Sequence, residues 1–207
     1  MSKLNGGIIG PDNVPTGAFG SASGVWSLSD VTNYKKQGTW PIVLTGHQVA
    51  NSCRFDTNAG MNKTAANGTR TKATFSAWVK RSVLGDESLL FNSRIDASNH
   101  FLIRFTGGDA LELVNRISAS NISFYTTNQL FRDVSAWYHV VWSIDTTQAS
   151  SGDRIKLFVN GTQVTSFATS TTQSQSTDLA ANINTAEYYV AQEYTSGDNY
   201  FDGYMAE

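Results

Sequence analysis

The chain has 207 residues, of which 40% are hydrophobic and 15% are charged. That hydrophobic share supports a packed core and excludes a disordered protein, while the low content of charged residues argues against a helical one. Fifteen basic and seventeen acidic residues give a net charge of −2 without long runs of like charge. We therefore expect neither nucleic acid nor an anionic membrane as the main partner.

The single cysteine and the N-terminal sequence indicate where the protein is made. Cys53 has no second cysteine with which to form an intrachain disulfide. The first ten residues carry one lysine and no apolar run longer than Ile8-Ile9, which is not the pattern of a signal peptide. We expect synthesis in the cytoplasm, with release by lysis or as part of a particle.

Residues 1–49 differ in composition from the remainder. Residues 1–24 hold six of the seventeen glycines and two of the three prolines, so this stretch cannot bury much apolar surface. A short helix is predicted over about 27–37, where Ser27 and Asp30 have the spacing of a capping box and Gly38 is a C-terminal stop signal. We interpret residues 1–49 as an arm with a short helix that docks on another protein.

Residues 50–207 are predicted to form strands. Runs of apolar and polar residues alternate with period two, and Asn160-Gly161 between two runs is a strong type I′ hairpin signal. The polar, low-complexity residues 168–180 are interpreted as one long surface loop. The predicted strands are 53–57, 74–81, 88–94, 100–105, 110–115, 122–126, 136–144, 155–159, 162–167, 188–193 and 200–206. Many short strands with regular turns indicate a β-sandwich or barrel.

Five short motifs occur in the order found in one group of β-sandwich domains. They are Arg54–Asp56, Phe75–Arg81, Trp137–Asp145, Ile155–Thr162 and Tyr200–Glu207. This succession resembles the laminin-G-like, concanavalin-A-like jelly roll. The resemblance implies an all-β antiparallel β-sandwich jelly roll over residues 50–207, preceded by the Gly/Pro-rich arm and the short helix.

The start of the chain has a narrower resemblance. Gly6–Pro11, Gly24–Leu28, Tyr34 and Trp40-Pro41 are similar to the N-terminus of structural proteins of tailed phages of marine bacteria. This resemblance implies a location in the virion, as a tail fibre, head fibre or capsid decoration. The arm would then contact other virion proteins, and a homo-oligomer such as a trimer would suit a fibre. Those proteins usually continue past the last motif, so the chain is expected to be either a short version or part of a longer one.

The laminin-G-like resemblance also implies a Ca²⁺ ion held by loop carboxylates and backbone carbonyls. Asp56 and Asp202 are the positions that the resemblance suggests, because it places the first and last strands side by side. The alternative is that both aspartates are turn or cap residues. The oxygen-rich loops at 145–153 and 198–199 remain open as further candidates.

Exposed aromatic residues are the expected ligand-binding groups of such a domain. We expect Trp78, Trp137 and Trp142 to be core residues, since each lies in a strand pattern. The candidates for stacking on a surface glycan are Tyr125, Tyr194, Tyr200 and Tyr204. Packing in the core or at an interface is the alternative for all four.

The sequence offers no catalytic residue and no cofactor-binding residue. Glucanases of the jelly-roll type carry Glu-x-Asp-x-Glu on one strand, and that triplet is absent here. The most favoured function is therefore a non-enzymatic virion protein whose outward jelly roll binds a host-surface glycan. A purely structural decoration or adaptor protein is the alternative, and a carbohydrate-active enzyme is the least favoured.

Overall fold

The computed structural model describes residues 51–56, 59–194 and 199–206, together with Thr32 and Lys36. The chain divides into two units, residues 1–48 and 49–207. Thr32 and Lys36 are helical and exposed, and both fall within the predicted helix over 27–37. The rest of the predicted arm and helix lies outside the described residues. None of the described helical residues forms a helix long and apolar enough to cross a membrane.

The described part of the second unit is an antiparallel β-sandwich, which confirms the predicted fold class. One sheet has six strands in the order β1-β13-β3-β8-β9-β10, and the other has seven in the order β11-β7-β6-β5-β4-β12-β2. A short 3-10 turn at Ser151–Asp153 precedes β9. The strands are β1 Cys53–Phe55, β2 Met61–Thr64, β3 Lys72–Arg81, β4 Ser88–Asp96, β5 Asn99–Phe105, β6 Ala110–Ile117, β7 Ser120–Leu130, β8 Tyr138–Asp145, β9 Ile155–Val159, β10 Thr162–Val164, β11 Phe167–Thr171, β12 Glu187–Val190 and β13 Gly203–Ala206.

The core lies between the two sheets. Alternate residues of each strand point inward, so that Trp142 of β8 belongs to the same apolar cluster as Leu113 and Ile103 of the other sheet. The β9–β10 hairpin turns at Asn160-Gly161, where both residues have positive φ, as predicted.

A buried ion pair connects the two sheets at one end of this core. Arg81 of β3 is only 1% exposed, and its Nη1 lies 3.0 Å from Asp109 Oδ1, in the turn between β5 and β6. The Gly85 N–H and Arg132 Nε also donate to Asp109. Burial by itself raises the pKa of Asp109, but these hydrogen bonds and the Arg81 charge bring the pKa below its ordinary value.

The interpretation of residues 168–180 as one surface loop is wrong. Phe167–Thr171 pairs with β7 as strand β11, and Leu179 and Ala180 belong to the core. Gln173 is buried, where its side chain accepts a hydrogen bond from Asn115 Nδ2 at 2.9 Å and donates to the Thr177 carbonyl. Satisfied amides allow this polar segment to cover the end of the core.

Candidate binding surfaces

Aromatic side chains emerge on the outer face of the six-stranded sheet. In β3, Ala77 and Val79 point into the core, so Trp78 between them points outward and is 36% exposed. Trp78 lies opposite His139 of β8 and Ala206 of β13. The Trp78 and His139 rings stack with centroids 4.8 Å apart and 19° between their planes.

Two further rings extend this surface. Trp137, which precedes β8, is 37% exposed, and its ring centroid lies 6.3 Å from that of Tyr204 on β13. The Arg54 guanidinium of β1 lies over the Tyr204 ring, 5.6 Å from its centroid. We call Trp78, Trp137, His139 and Tyr204 the aromatic platform.

Polar groups surround the aromatic platform. Ser76 Oγ is 3.2 Å from His139 Nε2, and the Asn160 side-chain oxygen accepts a hydrogen bond from the His139 backbone N–H at 2.8 Å. Lys80 lies directly across from Tyr204 in the β3–β13 register. Exposed aromatic rings with a polar rim are typical of an interaction site rather than of an ordinary protein surface.

The expectation that Trp78, Trp137 and Trp142 are all core residues is wrong for two of the three. Trp142 is fully buried, whereas Trp78 and Trp137 are among the exposed large hydrophobic residues. The sequence contained a signal for Trp78, because Ser76 and Lys80 share its period-two face. That polar face marks the side of β3 that points away from the core.

The four predicted ligand-binding tyrosines are dispersed. Tyr125 is 5% exposed and belongs to the core, where its hydroxyl hydrogen-bonds Thr172, so its predicted surface role is wrong. Tyr204 contributes to the aromatic platform. Tyr194 lies elsewhere, against Tyr189 and beneath the Arg94 guanidinium. Tyr200 is half-buried.

Asp56 and Asp202, the predicted calcium ligands, lie at the same end of neighbouring strands. β1 pairs with β13, and Asp56 and Asp202 are the residues next to the paired Phe55 and Gly203. Asp202 Oδ1 is buried without a hydrogen-bond donor among the described residues, and Arg54 Nη2 lies 3.6 Å from it. A buried carboxylate oxygen without a hydrogen-bond donor suits a hard cation, although here Arg54 already provides a positive charge. However, the described residues contain no group of three acidic, histidine or cysteine side chains that could hold a metal. Calcium binding here stays a prediction.

Carboxylates also meet on the outer face of the seven-stranded sheet. Arg104 of β5 is 2.7 Å from Glu112 of β6 and 2.7 Å from Glu87. A glycosidase needs its two carboxyl groups on either side of the substrate bond. Here an arginine side chain occupies the space between Glu87 and Glu112, which is an arrangement for an ion cluster.

The profile of the concanavalin A-like lectin/glucanases superfamily matches residues 55–207. Among curated proteins, no sequence is significantly similar to the chain. Three solved structures share the fold. Domain 4 of AbnA, an arabinanase from Geobacillus stearothermophilus in complex with arabinotriose, has 18% identity and a TM-score of 0.55, covering 75% of this chain and 67% of that domain.

The mouse laminin alpha1 chain, domains LG4-5, has 10% identity and a TM-score of 0.55; the match covers 77% of this chain and 41% of the laminin fragment. The CBM40 module of the Ruminococcus gnavus IT-sialidase has 13% identity and a TM-score of 0.50, with 76% and 89% coverage. At these identities the structures establish the fold alone. Because the profile covers most of its length, the chain belongs to the concanavalin A-like lectin/glucanases superfamily.

Proposed function

We propose that this member of the superfamily is a non-enzymatic glycan-binding protein and that its aromatic platform is the binding surface. The observation that carries the proposal is the exposure of two tryptophans on one sheet face, Trp78 and Trp137. Leaving an indole in water forgoes the free energy that its burial would release, and a ligand that covers the ring recovers it.

Sugars match the chemistry of this surface. One face of a pyranose ring presents C–H groups that pack on an aromatic ring, while its hydroxyls form hydrogen bonds at the ring's edge. The stacked Trp78 and His139 rings offer the flat surface, and Ser76 and Lys80 are the neighbouring polar groups on the same face of β3. The fold supports the proposal, since related solved domains include a carbohydrate-binding module and one captured with arabinotriose.

The test is a glycan array probed with the full chain, followed by calorimetry with the best glycan. We expect Trp78→Ala and Trp137→Ala each to weaken binding at least about tenfold, which corresponds to about 1.4 kcal/mol. Leu130→Ala is the control, because Leu130 is also an exposed large apolar residue but ends strand β7 of the other sheet. Equal loss in all three variants, or no glycan bound by the parent protein, would overturn the proposal. The second result would favour a purely structural decoration or adaptor protein.

We further propose that the protein is a phage virion component, a tail fibre, head fibre or capsid decoration, docked through residues 1–49. The resemblance of Gly6–Pro11 and Gly24–Leu28 to phage structural proteins supports this placement. Several copies on one particle would strengthen weak contacts to host-surface sugars by multivalency. The test is deletion of residues 2–20 followed by particle sedimentation. Unchanged incorporation into particles would contradict docking through the arm.

A further inference from the structure

Three basic side chains stand in one line across the outer face of the seven-stranded sheet. Arg94 of β4 is paired in register with His100 of β5, which is in turn paired with Arg116 of β6. Neighbouring strands lie about 4.8 Å apart, so the three residues extend over roughly 10 Å. We call Arg94, His100 and Arg116 the arginine row.

The arginine row lacks the neutralising partners found next to it. Arg104, further along β5 on the same face, is held by Glu112 and Glu87 at 2.7 Å. Among the described residues, neither Arg94 nor Arg116 has a carboxylate within 4 Å. The guanidinium carbon of Arg94 lies over the Tyr194 ring, 4.8 Å from the ring centroid.

Buried polar atoms without partners lie at the same place. Among the residues that the structure describes, neither Arg116 Nε nor His100 Nδ1, both buried, has a hydrogen-bond partner. A buried donor left unpaired destabilises the protein, and the cost is larger for a charged group. Such a cost is removed when a bound ligand provides the missing acceptor.

The charges around His100 give the arginine row a positive field. Burial lowers the pKa of His100, and the charges of Arg94 and Arg116 lower it further. Glu193 opposes this effect, but its side chain accepts a hydrogen bond from Asn199. Glu187, opposite Arg94 on β12, accepts from the Tyr189 hydroxyl. Both carboxylates keep their negative charge, but Glu187 lies opposite Arg94, at the other end of the row from Arg116, for which no carboxylate lies opposite among the described residues.

An apolar floor lies beside the arginine row. Leu102 and Val114 form a small buried cluster on this outer face, with Phe124 packed against it. A low-dielectric surface next to a guanidinium strengthens its attraction for an anion. Phe124, which is only partly buried, also offers an apolar surface to the body of a ligand whose charged group reaches the arginines.

From this arrangement we infer that the arginine row is a second binding site, which takes the carboxylate or sulfate group of an acidic saccharide. Guanidinium groups bind planar carboxylates and sulfate oxygens with directed hydrogen bonds. Arg94 and Arg116 provide the charge from either side, and His100 between them contributes its unpaired ring nitrogen. That a saccharide carries the oxyanion rests on the proposed function, whereas the oxyanion site itself does not.

The experiment measures binding of glucuronate, sodium sulfate and uncharged glucose to the full chain by calorimetry and by NMR titration of His100. Glucuronate or sulfate should bind, glucose should not perturb His100, and the bound anion should raise the measured pKa of His100. Whichever of the two anions binds more tightly identifies the charged group that the site prefers.

Arg94→Gln and Arg116→Gln should each weaken anion binding about tenfold or more. Lys156→Gln, which removes one half-buried positive charge on the other sheet, is the control and should leave binding unchanged. Without ligand, the arginine variants should melt at the parent temperature or above it, because they relieve repulsion. Unchanged anion affinity in both arginine variants, or a lowered melting temperature in the absence of ligand, would overturn the inference.

The outcome is separable from that of the glycan-binding proposal. Trp78→Ala should leave glucuronate binding unchanged, because the platform and the arginine row lie on different sheets. Anion binding without any glycan-array signal would refute the proposed function and leave the oxyanion site standing. Glycan binding that depends on Trp78, with no change at His100 when an anion is added, would support the proposed function and refute the oxyanion site.

Discussion

On the six-stranded sheet the outer face exposes aromatic rings, whereas on the seven-stranded sheet it carries a line of basic side chains. Trp78 and Trp137 are partly in water, and Arg94 and Arg116 lack carboxylate partners among the described residues. Both faces forgo stability that ordinary packing or pairing would supply. The comparison teaches that one core can support two outward surfaces of different chemistry, which substitutions should be able to affect separately.

The largest expected loss of stability comes from the buried ion pair that joins the two sheets, because its removal should affect both outer faces together. Asp109→Asn leaves the buried Arg81 charge without its partner, so we expect a loss of about 3–5 kcal/mol in the free energy of unfolding, measured in urea. Asp86→Asn is the control, because Asp86 is exposed and lies in the preceding turn. A loss below 1 kcal/mol in Asp109→Asn would show that the pair does not hold the sheets together.

Acid should weaken the same connection. Because the folded-state pKa of Asp109 lies below its ordinary value, its ionised form contributes stability above about pH 4, and this contribution is lost as the pH falls further. The melting temperature of the parent protein should therefore drop more steeply below pH 4 than that of Asp109→Asn. Parallel curves for the two proteins would contradict this account.

A smaller loss of stability is expected from a substitution in β13, and it should disturb the aromatic platform before the rest of the domain. A Cβ at Gly203 would lie 2.1 Å from the Lys80 carbonyl oxygen, and it would also meet the Phe201 ring. We expect Gly203→Ala to cost about 3 kcal/mol and to displace Tyr204 in the same strand. Gly68→Ala, whose Cβ would make an ordinary 3.6 Å contact, serves as the control. Hydrogen exchange should show faster opening of β13 than of β5, and equal rates would refute local damage.

Salt concentration should change ligand affinity on the two faces to different extents, and this effect is smaller than those above. Raising NaCl from about 0.05 to 0.5 M shortens the screening length severalfold and should weaken glucuronate binding at the arginine row severalfold. Binding of a neutral glycan to the platform should change less than twofold. Calorimetry at both salt concentrations measures each affinity. Equal salt dependence of glucuronate and neutral-glycan binding would contradict an electrostatic difference between the two faces.

The smallest expected effect concerns calcium beside the platform. If Asp56 and Asp202 hold Ca²⁺ with the affinity of extracellular modules, a dissociation constant of about 0.1–1 mM, then about 1 mM Ca²⁺ should add about 0.4–1.4 kcal/mol of stability. EGTA should reverse the gain, and Asp202→Asn should abolish it in thermal melts. A parent protein that melts identically with Ca²⁺ and with EGTA would remove this site.

The two strands that sequence reasoning missed are both edges of the seven-stranded sheet. β2 and β11 each pair on one side only, and every residue of β2 is exposed. Such strands bury too little to show apolar alternation, so their existence depends on pairing with distant residues. The central strands, buried on at least one face, carried the pattern that predicted the sandwich correctly.

The binding surfaces were less predictable because they depend on strand register. Arg94, His100 and Arg116 lie far enough apart in sequence that only the pairing of β4, β5 and β6 brings them into line. Trp78 and Trp142 both occur in strand patterns, but Trp142 fills the core between Val140 and Ile144 while Trp78 points outward. Alternation with period two shows which residues of a strand share a face, but it does not show which of the two faces packs against the core.

The position of β13 gives the six-stranded sheet an order of assembly. This strand lies between β1 and β3, although Gly203 follows Arg81 by more than a hundred residues. At 5–20 residues per second, a ribosome needs roughly ten seconds to proceed from β3 to β13. Among the described strands β1 pairs with β13 alone, so it lacks that partner during the interval, and the edge of β3 stays open to pairing with other chains. A nascent copy is therefore most exposed to mispairing at the edge where Trp78 will later meet Ala206.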